Sequence, residues 1–226
     1  MRTLIVAATR MEIQATLNEF QINKLNEDLY TTTFLHFGHV DFLITGVGIP
    51  FTIYNLMEQL NKTQYDRVIN AGVAGSYNPM YAVGSLHCIN QEEFADIGIE
   101  DRQNFYTIFE RNLADLNFHP FKNGKLHSPG LGIAAIDALP QVRSITVNTT
   151  HGDEETITMF REKFHPDVEN MEGAAVFYVC LKKNIPVTEI RSISNMVEVR
   201  SRAKWDLPLA TDVLNSFLKH MLNNCR

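Results

Sequence analysis

Asn195 ends an apolar run that begins at Ile185, and Arg200, Arg202 and Trp205 follow closely behind it. Asparagine breaks strands and starts turns. Its amide also carries both a donor and an acceptor that a strand end can present to a ligand. Glu172 opens a segment that is otherwise nearly all apolar, "MEGAAVFYVC", with Met171 before it and Gly173 and two alanines after it. A carboxylate at so crowded a junction needs a definite partner. Glu12 stands just after the first apolar run, at a helix start, where the helix dipole alone favours an acid. His151 in "NTTHGDEE" precedes Asp153, Glu154 and Glu155, which suit the opening of another helix. The glycine turns "TGVGIP" (45–50) and "AGVAG" (71–75) do not complete GxGxxG, so they carry no dinucleotide fingerprint. In "INAGVAG", Ala74 and Gly75 either make a tight strand-to-helix turn or expose backbone N–H groups where α/β sheets bind ligands. The histidines show no HExxH or HxH spacing, so no zinc site is expected.

Alternating elements must position these residues. Strands are predicted over 3–8, 29–37, 40–46, 66–75, 83–90, 144–150 and 187–194, with the second and third forming a hairpin around Gly38 and His39. Helices are predicted over 11–20, 50–62 (opened by Pro50), 153–164, 174–184 and 208–222. Residues 92–142, rich in glycine and proline around "HPFKNGKLHSPGLG", read as long loops. The alternation predicts a layered α/β sheet in one domain.

The 226 residues are enough to bury a substantial core, and 45% hydrophobic content is ordinary for a globular chain. A net charge of −6 lacks the basic face that nucleic acid requires. No apolar run approaches the roughly 20 residues of a membrane helix, and the start lacks a signal-peptide pattern. Cys88, Cys180 and Cys225 are scattered, which argues for a reducing compartment, the cytoplasm by default.

Taken in order, Glu12, "INAGVAG", "ITVNTTHG", "NMEGAAVFYVC" and "IRSISN" resemble the purine nucleoside phosphorylase and nucleosidase superfamily. Its methylthioadenosine/S-adenosylhomocysteine nucleosidases have a similar glycine turn, a Met-Glu-Ala helix start and an Arg-Ala-Ile-Ser-Asp strand end. "HGDE", "MEGAA", "RSISN" and "KWDLPLA" together most resemble the futalosine hydrolases of menaquinone biosynthesis. The resemblance spans the chain and is weakest over 92–142. It implies a single domain, residues 1–226, with a three-layer α/β/α fold around a central mixed twisted sheet. It also implies a homo-oligomeric N-glycosidase, a dimer or larger, that acts on a small nucleoside without metal or organic cofactor.

By the same resemblance, Glu172 accepts the ribose hydroxyls while Met171 packs on the sugar. Glu12 activates water, and Arg191 joins the substrate-binding set by pairing with one of these acids. Ala74, Gly75, Gly152 and Asp153 contact the ligand, and Trp205 stacks on it. The N-terminal loop lacks the phosphorylases' phosphate pattern, although Arg10 is there. Arg10, Arg200 and Arg202 are candidates for the carboxylate at the 5′ end of futalosine. Asn195 replaces an expected aspartate and suits a 6-oxopurine, hence hypoxanthine. An inosine hydrolase or phosphorylase, an adenine-type nucleosidase and a non-enzymatic nucleoside binder remain the alternatives.

Overall fold

A computed structural model describes residues 1–20, 22–102, 104–199 and 205–224. Arg200, Arg202 and Cys225 lie outside the described residues. The first half of the chain runs β1 (Arg2–Ala7), α1 (Arg10–Glu19), β2 (Asn23–Lys24), β3 (Leu29–Phe34), β4 (Gly38–Ile44), α2 (Ile49–Lys62), β5 (Arg67–Ser76) and β6 (Leu86–Phe94). A small hairpin, β7 (Gly98–Asp101) and β8 (Asn104–Thr107), leads to β9 (Leu126–His127) and the single turn α3 (Ala134–Asp137). The rest comprises β10 (Gln141–Thr146), α4 (Glu154–Phe164), β11 (Val168–Asn170), α5 (Gly173–Lys182), β12 (Val187–Met196) and α6 (Leu207–Asn224).

One mixed sheet orders these strands β11-β10-β6-β12-β5-β1-β4-β3-β2. β11 also pairs antiparallel with β5, so β5, β12, β6, β10 and β11 close into a ring. β1, β5 and β12 are parallel neighbours, and their carboxyl ends converge at one side of the sheet. Helices α1 and α6 cover one face, where Ile13, Leu17, Leu214 and Leu218 join the core of Ile5, Ile69 and Ile190. Helices α2 and α5 cover the other, where Leu56, Leu60, Val176 and Phe177 pack with Leu4, Val6 and Val68. The layered α/β domain expected from the alternation is the one observed.

Several strand boundaries differ from the sequence reading, and two of them bear on the site. β6 runs on to Phe94, because β9 and β10 pair along its second half and Glu92 finds buried partners there. β10 stops at Thr146, and the chain then leaves the sheet so that Thr150 reaches the central cavity. The segment 92–142 is also more ordered than long loops: it holds β7, β8, β9 and α3.

Helix α1 is anchored twice. Thr9 and Glu12 form a capping box at its start. Buried Asn215 of α6 accepts from the Thr16 backbone N–H at 2.8 Å and donates to the Glu12 carbonyl at 2.8 Å. That amide therefore fixes the first turn of the helix bearing Glu12. Asn215→Ala leaves those groups without their partner, and chemical denaturation should show a loss of about 2 kcal/mol.

Candidate active site

A cavity opens at the carboxyl ends of β1, β5 and β12 and beside β11, where an α/β sheet offers backbone groups to a ligand. Its lining joins the turn before α1 to Val73, Ala74 and Gly75, to residues 169–172, to Ser194 and Asn195, and to Thr150 and Trp205. Glu12, Glu172, Asn195, Met171, Ala74, Gly75 and Trp205, picked from sequence, thus come together in space.

Glu12 is 5% exposed. Its Oε2 accepts from the Thr9 N–H at 2.8 Å and the Thr9 hydroxyl at 3.0 Å, and its Oε1 accepts from the Val73 N–H at 3.1 Å. A carboxylate has roughly four acceptor sites. Three are filled, which leaves one for a molecule in the cavity. The capping box meets the helix-start reading, and the same side chain keeps an acceptor facing the cavity.

Glu172 occupies the N-cap position of α5, with no capping bond from its side chain, and is also 5% exposed. Its Oε1 accepts from the Gly48 N–H at 3.0 Å, at the start of α2, and its Oε2 lies 3.6 Å from Arg191 Nη2. Burial pushes its carboxyl up to about 7, opposed by the Arg191 charge and aided by neighbouring Glu12. Two acceptor sites remain free, as many as a pair of vicinal hydroxyls would use.

Arg191 lies behind this wall and does not line the cavity, which corrects its placement among substrate contacts. Its side chain is 2% exposed and donates to Glu189 Oε1 at 2.6 Å and to the Val73 carbonyl at 3.1 Å. A Cβ on Gly72 would collide with the guanidinium and lie 2.8 Å from Glu12 Oε1, so only glycine leaves room for that approach.

Deeper still, Asn170 donates to Glu92 at 2.6 Å and Glu189 at 3.2 Å, while its carbonyl accepts from the Glu172 and Gly173 N–H groups. The carboxylates of Glu92 and Glu189 both crowd the space a Gly173 Cβ would take, and Glu189 Oε2 has no hydrogen-bond partner. Burial and the Glu189 charge raise the Glu92 carboxyl to about 8, which favours its protonated form near neutrality. Among the described residues, no group of three or more His, Cys, Asp or Glu side chains is arranged to hold a metal.

Asn195 reaches the cavity through a bulge. Ile193 pairs with Ala74 and Asn195 with Gly75, which leaves Ser194 as the extra residue on β12. Such a bulge re-aims the side chains that follow it. The Asn195 amide donates to the Met196 carbonyl at 3.0 Å and accepts from the Ser194 hydroxyl at 2.8 Å. One N–H and one lone pair remain for a ligand.

Gly152 and Asp153 do not line this cavity. Asp153 is the N-cap of α4, accepting from the Glu155 and Thr156 N–H groups, and Thr150 takes the expected place. His151 packs its ring 4.7 Å from Phe160 and lines a smaller neighbouring cleft. Arg10 lies over the Tyr30 ring at 5.5 Å, also off the cavity wall. Glu169 and Asn170 were passed over in the sequence. Their signal is the polar pair that follows Val168 in "VEN", buried as a strand beside Met171.

The phosphorylase superfamily model matches residues 3–223, and the chain belongs to that superfamily. It is 30% identical over 151 residues to a futalosine hydrolase of Streptomyces coelicolor, a match that takes in 65% of this chain and 60% of that protein's length. It is 26% identical to a 5'-methylthioadenosine/S-adenosylhomocysteine nucleosidase of Buchnera aphidicola, over 87% of this chain and 79% of that one. The fold superposes on a Helicobacter pylori futalosine hydrolase structure with a TM-score of 0.79, at 18% identity, covering 98% of this chain and 97% of the other.

The buried acids have a consequence for stability. Glu92 titrates higher when folded than its ordinary 4.5, so the folded state holds more protons and stability falls as pH rises from 4.5 to about 8. Glu172 and Glu169, both pushed up to about 7, act in the same direction. Glu92→Gln should flatten this decline, read as melting temperature against pH. An unchanged slope would place the proton elsewhere.

Proposed function

We propose that this chain hydrolyses the N-ribosidic bond of futalosine, releasing hypoxanthine and dehypoxanthine futalosine. The chain is a purine nucleoside N-glycosidase. The observation that carries the finer reading is the Asn195 amide in the cavity wall, with one N–H and one lone pair unspent. That N–H suits a 6-oxo group, and the lone pair suits a protonated ring nitrogen.

Glu172 takes the ribose 2′- and 3′-hydroxyls on its two free acceptor sites, with Met171 against the sugar. Glu12 holds a water on its remaining site and takes its proton as the oxygen bonds to C1′. The ionisable groups among the described lining residues are all carboxylates, which suits water rather than a phosphate dianion as nucleophile. The Streptomyces relative's name supports the futalosine reading, and the Buchnera relative's name supports adenine-type substrates as a second reading.

Base release from futalosine, inosine and methylthioadenosine, with and without phosphate, tests this directly. Hypoxanthine from futalosine should dominate, indifferent to phosphate. Faster adenine release, or a ribose 1-phosphate product, would overturn it. Glu12→Gln should lower kcat by ~10²–10⁴ with KM changed only a few-fold. Asn195→Asp sets a carboxylate against the 6-oxo group, and kcat/KM for inosine relative to adenosine should fall at least ~10-fold.

A further inference from the structure

Hydrolysis leaves one charge to be met. As C1′–N9 breaks, its electron pair stays with the purine, which departs as an anion unless a proton reaches it. The Asn195 amide offers an N–H bond but has no proton to transfer. The ionisable side chains among the described lining residues are Glu12, Glu169 and Glu172. Glu12 is occupied by Thr9 and Val73, and Glu172 stands beside Arg191.

Glu169 is differently placed. It is 4% exposed, and its Oε2 accepts from the Tyr77 hydroxyl at 2.9 Å. Among the described residues, neither an ion pair nor a second hydrogen bond engages it. β11 sets it opposite Gly75, and a Cβ on that glycine would lie 3.5 Å from Glu169 Cγ and 3.2 Å from Asn195 Nδ2. A base that meets the amide therefore lies within reach of the carboxyl as well.

We propose that Glu169 is the general acid of this site, passing its carboxyl proton to N7 of the departing purine. The proposal rests on the N-glycosidase reading above. The water oxygen bonds to C1′, the C1′–N9 pair goes to the base, Glu12 takes a water proton and Glu169 supplies one to N7. Exchange with solvent then returns both carboxyls to their starting states.

The surroundings fit an acid. Burial pushes the carboxyl up to about 7, and the Tyr77 hydroxyl only partly offsets this. The charged and titratable groups around it are Tyr77 at the end of β5, Arg161 of α4 over the Tyr77 ring at 5.7 Å, His151 and Glu198 around the neighbouring cleft, and Glu12 and Glu172 around the cavity. Glu172 must be ionised and Glu169 protonated, so kcat/KM should be bell-shaped about neutrality.

The test compares the parent with Glu169→Gln on inosine and on a nitrophenyl riboside, whose phenolate leaves without a proton. With inosine, kcat should fall ~10²-fold or more, KM should change little, and the alkaline limb of the profile should vanish while the acid limb stays. With the nitrophenyl riboside the loss should be only a few-fold. Tyr77→Phe should move the alkaline limb to higher pH, since it removes a donor that favours the carboxylate. Equal losses on both substrates, or an alkaline limb that survives in Glu169→Gln, would overturn the assignment. A parent that releases no base from any purine nucleoside would sink the glycosidase reading itself. An active parent with an unimpaired variant would sink only the role of Glu169.

Discussion

Arg191 brings a full positive charge into the interior, and the site is assembled around it. The guanidinium binds Glu189, stands behind Glu172 and lies close to Glu12 across Gly72. An ion pair buried this deeply is costly to break, about 3–5 kcal/mol when one partner is removed, because the other charge is stranded. The arginine therefore holds the acids in position as much as it neutralises them. One cation cannot balance Glu12, Glu172 and Glu189 together with Glu92. The proton retained on Glu92 makes up part of the difference, so the deep layer mixes charged and neutral carboxyls by environment alone.

That arrangement separates roles among chemically identical side chains. Glu12 sits among backbone and hydroxyl donors, Glu172 beside a helix start and a guanidinium, and Glu169 beside a single phenol. Equal carboxyls with different partners can take different tasks, the general means by which one pocket supplies both acid and base. The bulge at Ser194 completes the division by turning an amide, rather than a fourth carboxylate, toward the ligand.

Much of this was legible in the sequence. The strands and helices that build the layers carry clear periodicity, and Glu12, Met171, Glu172 and Asn195 stand at element boundaries where polarity breaks an apolar pattern. What escaped was set by pairing across the chain. "VEN" is too short and polar to read as a buried strand, yet Asn170 and Glu169 are satisfied by side chains 19 to 92 residues away. Asp153 and Gly152 follow a strand end just as Thr150 does, and spacing cannot show which of them turns inward. The bulge leaves no mark in "RSISN" that differs from an ordinary alternation.

The closed ring of five strands has a consequence for how the protein comes into being. β5 is finished by residue 76, but its partners β11 and β12 end at residues 170 and 196. Contacts so distant in sequence are slow to form, because the loop-closure entropy comes before the reward. During synthesis the edge of β5 must wait for nearly the whole chain to be made. The cavity wall draws on residues from Ala8 to Trp205, so it is complete only once β12 and Trp205 beyond it are in place.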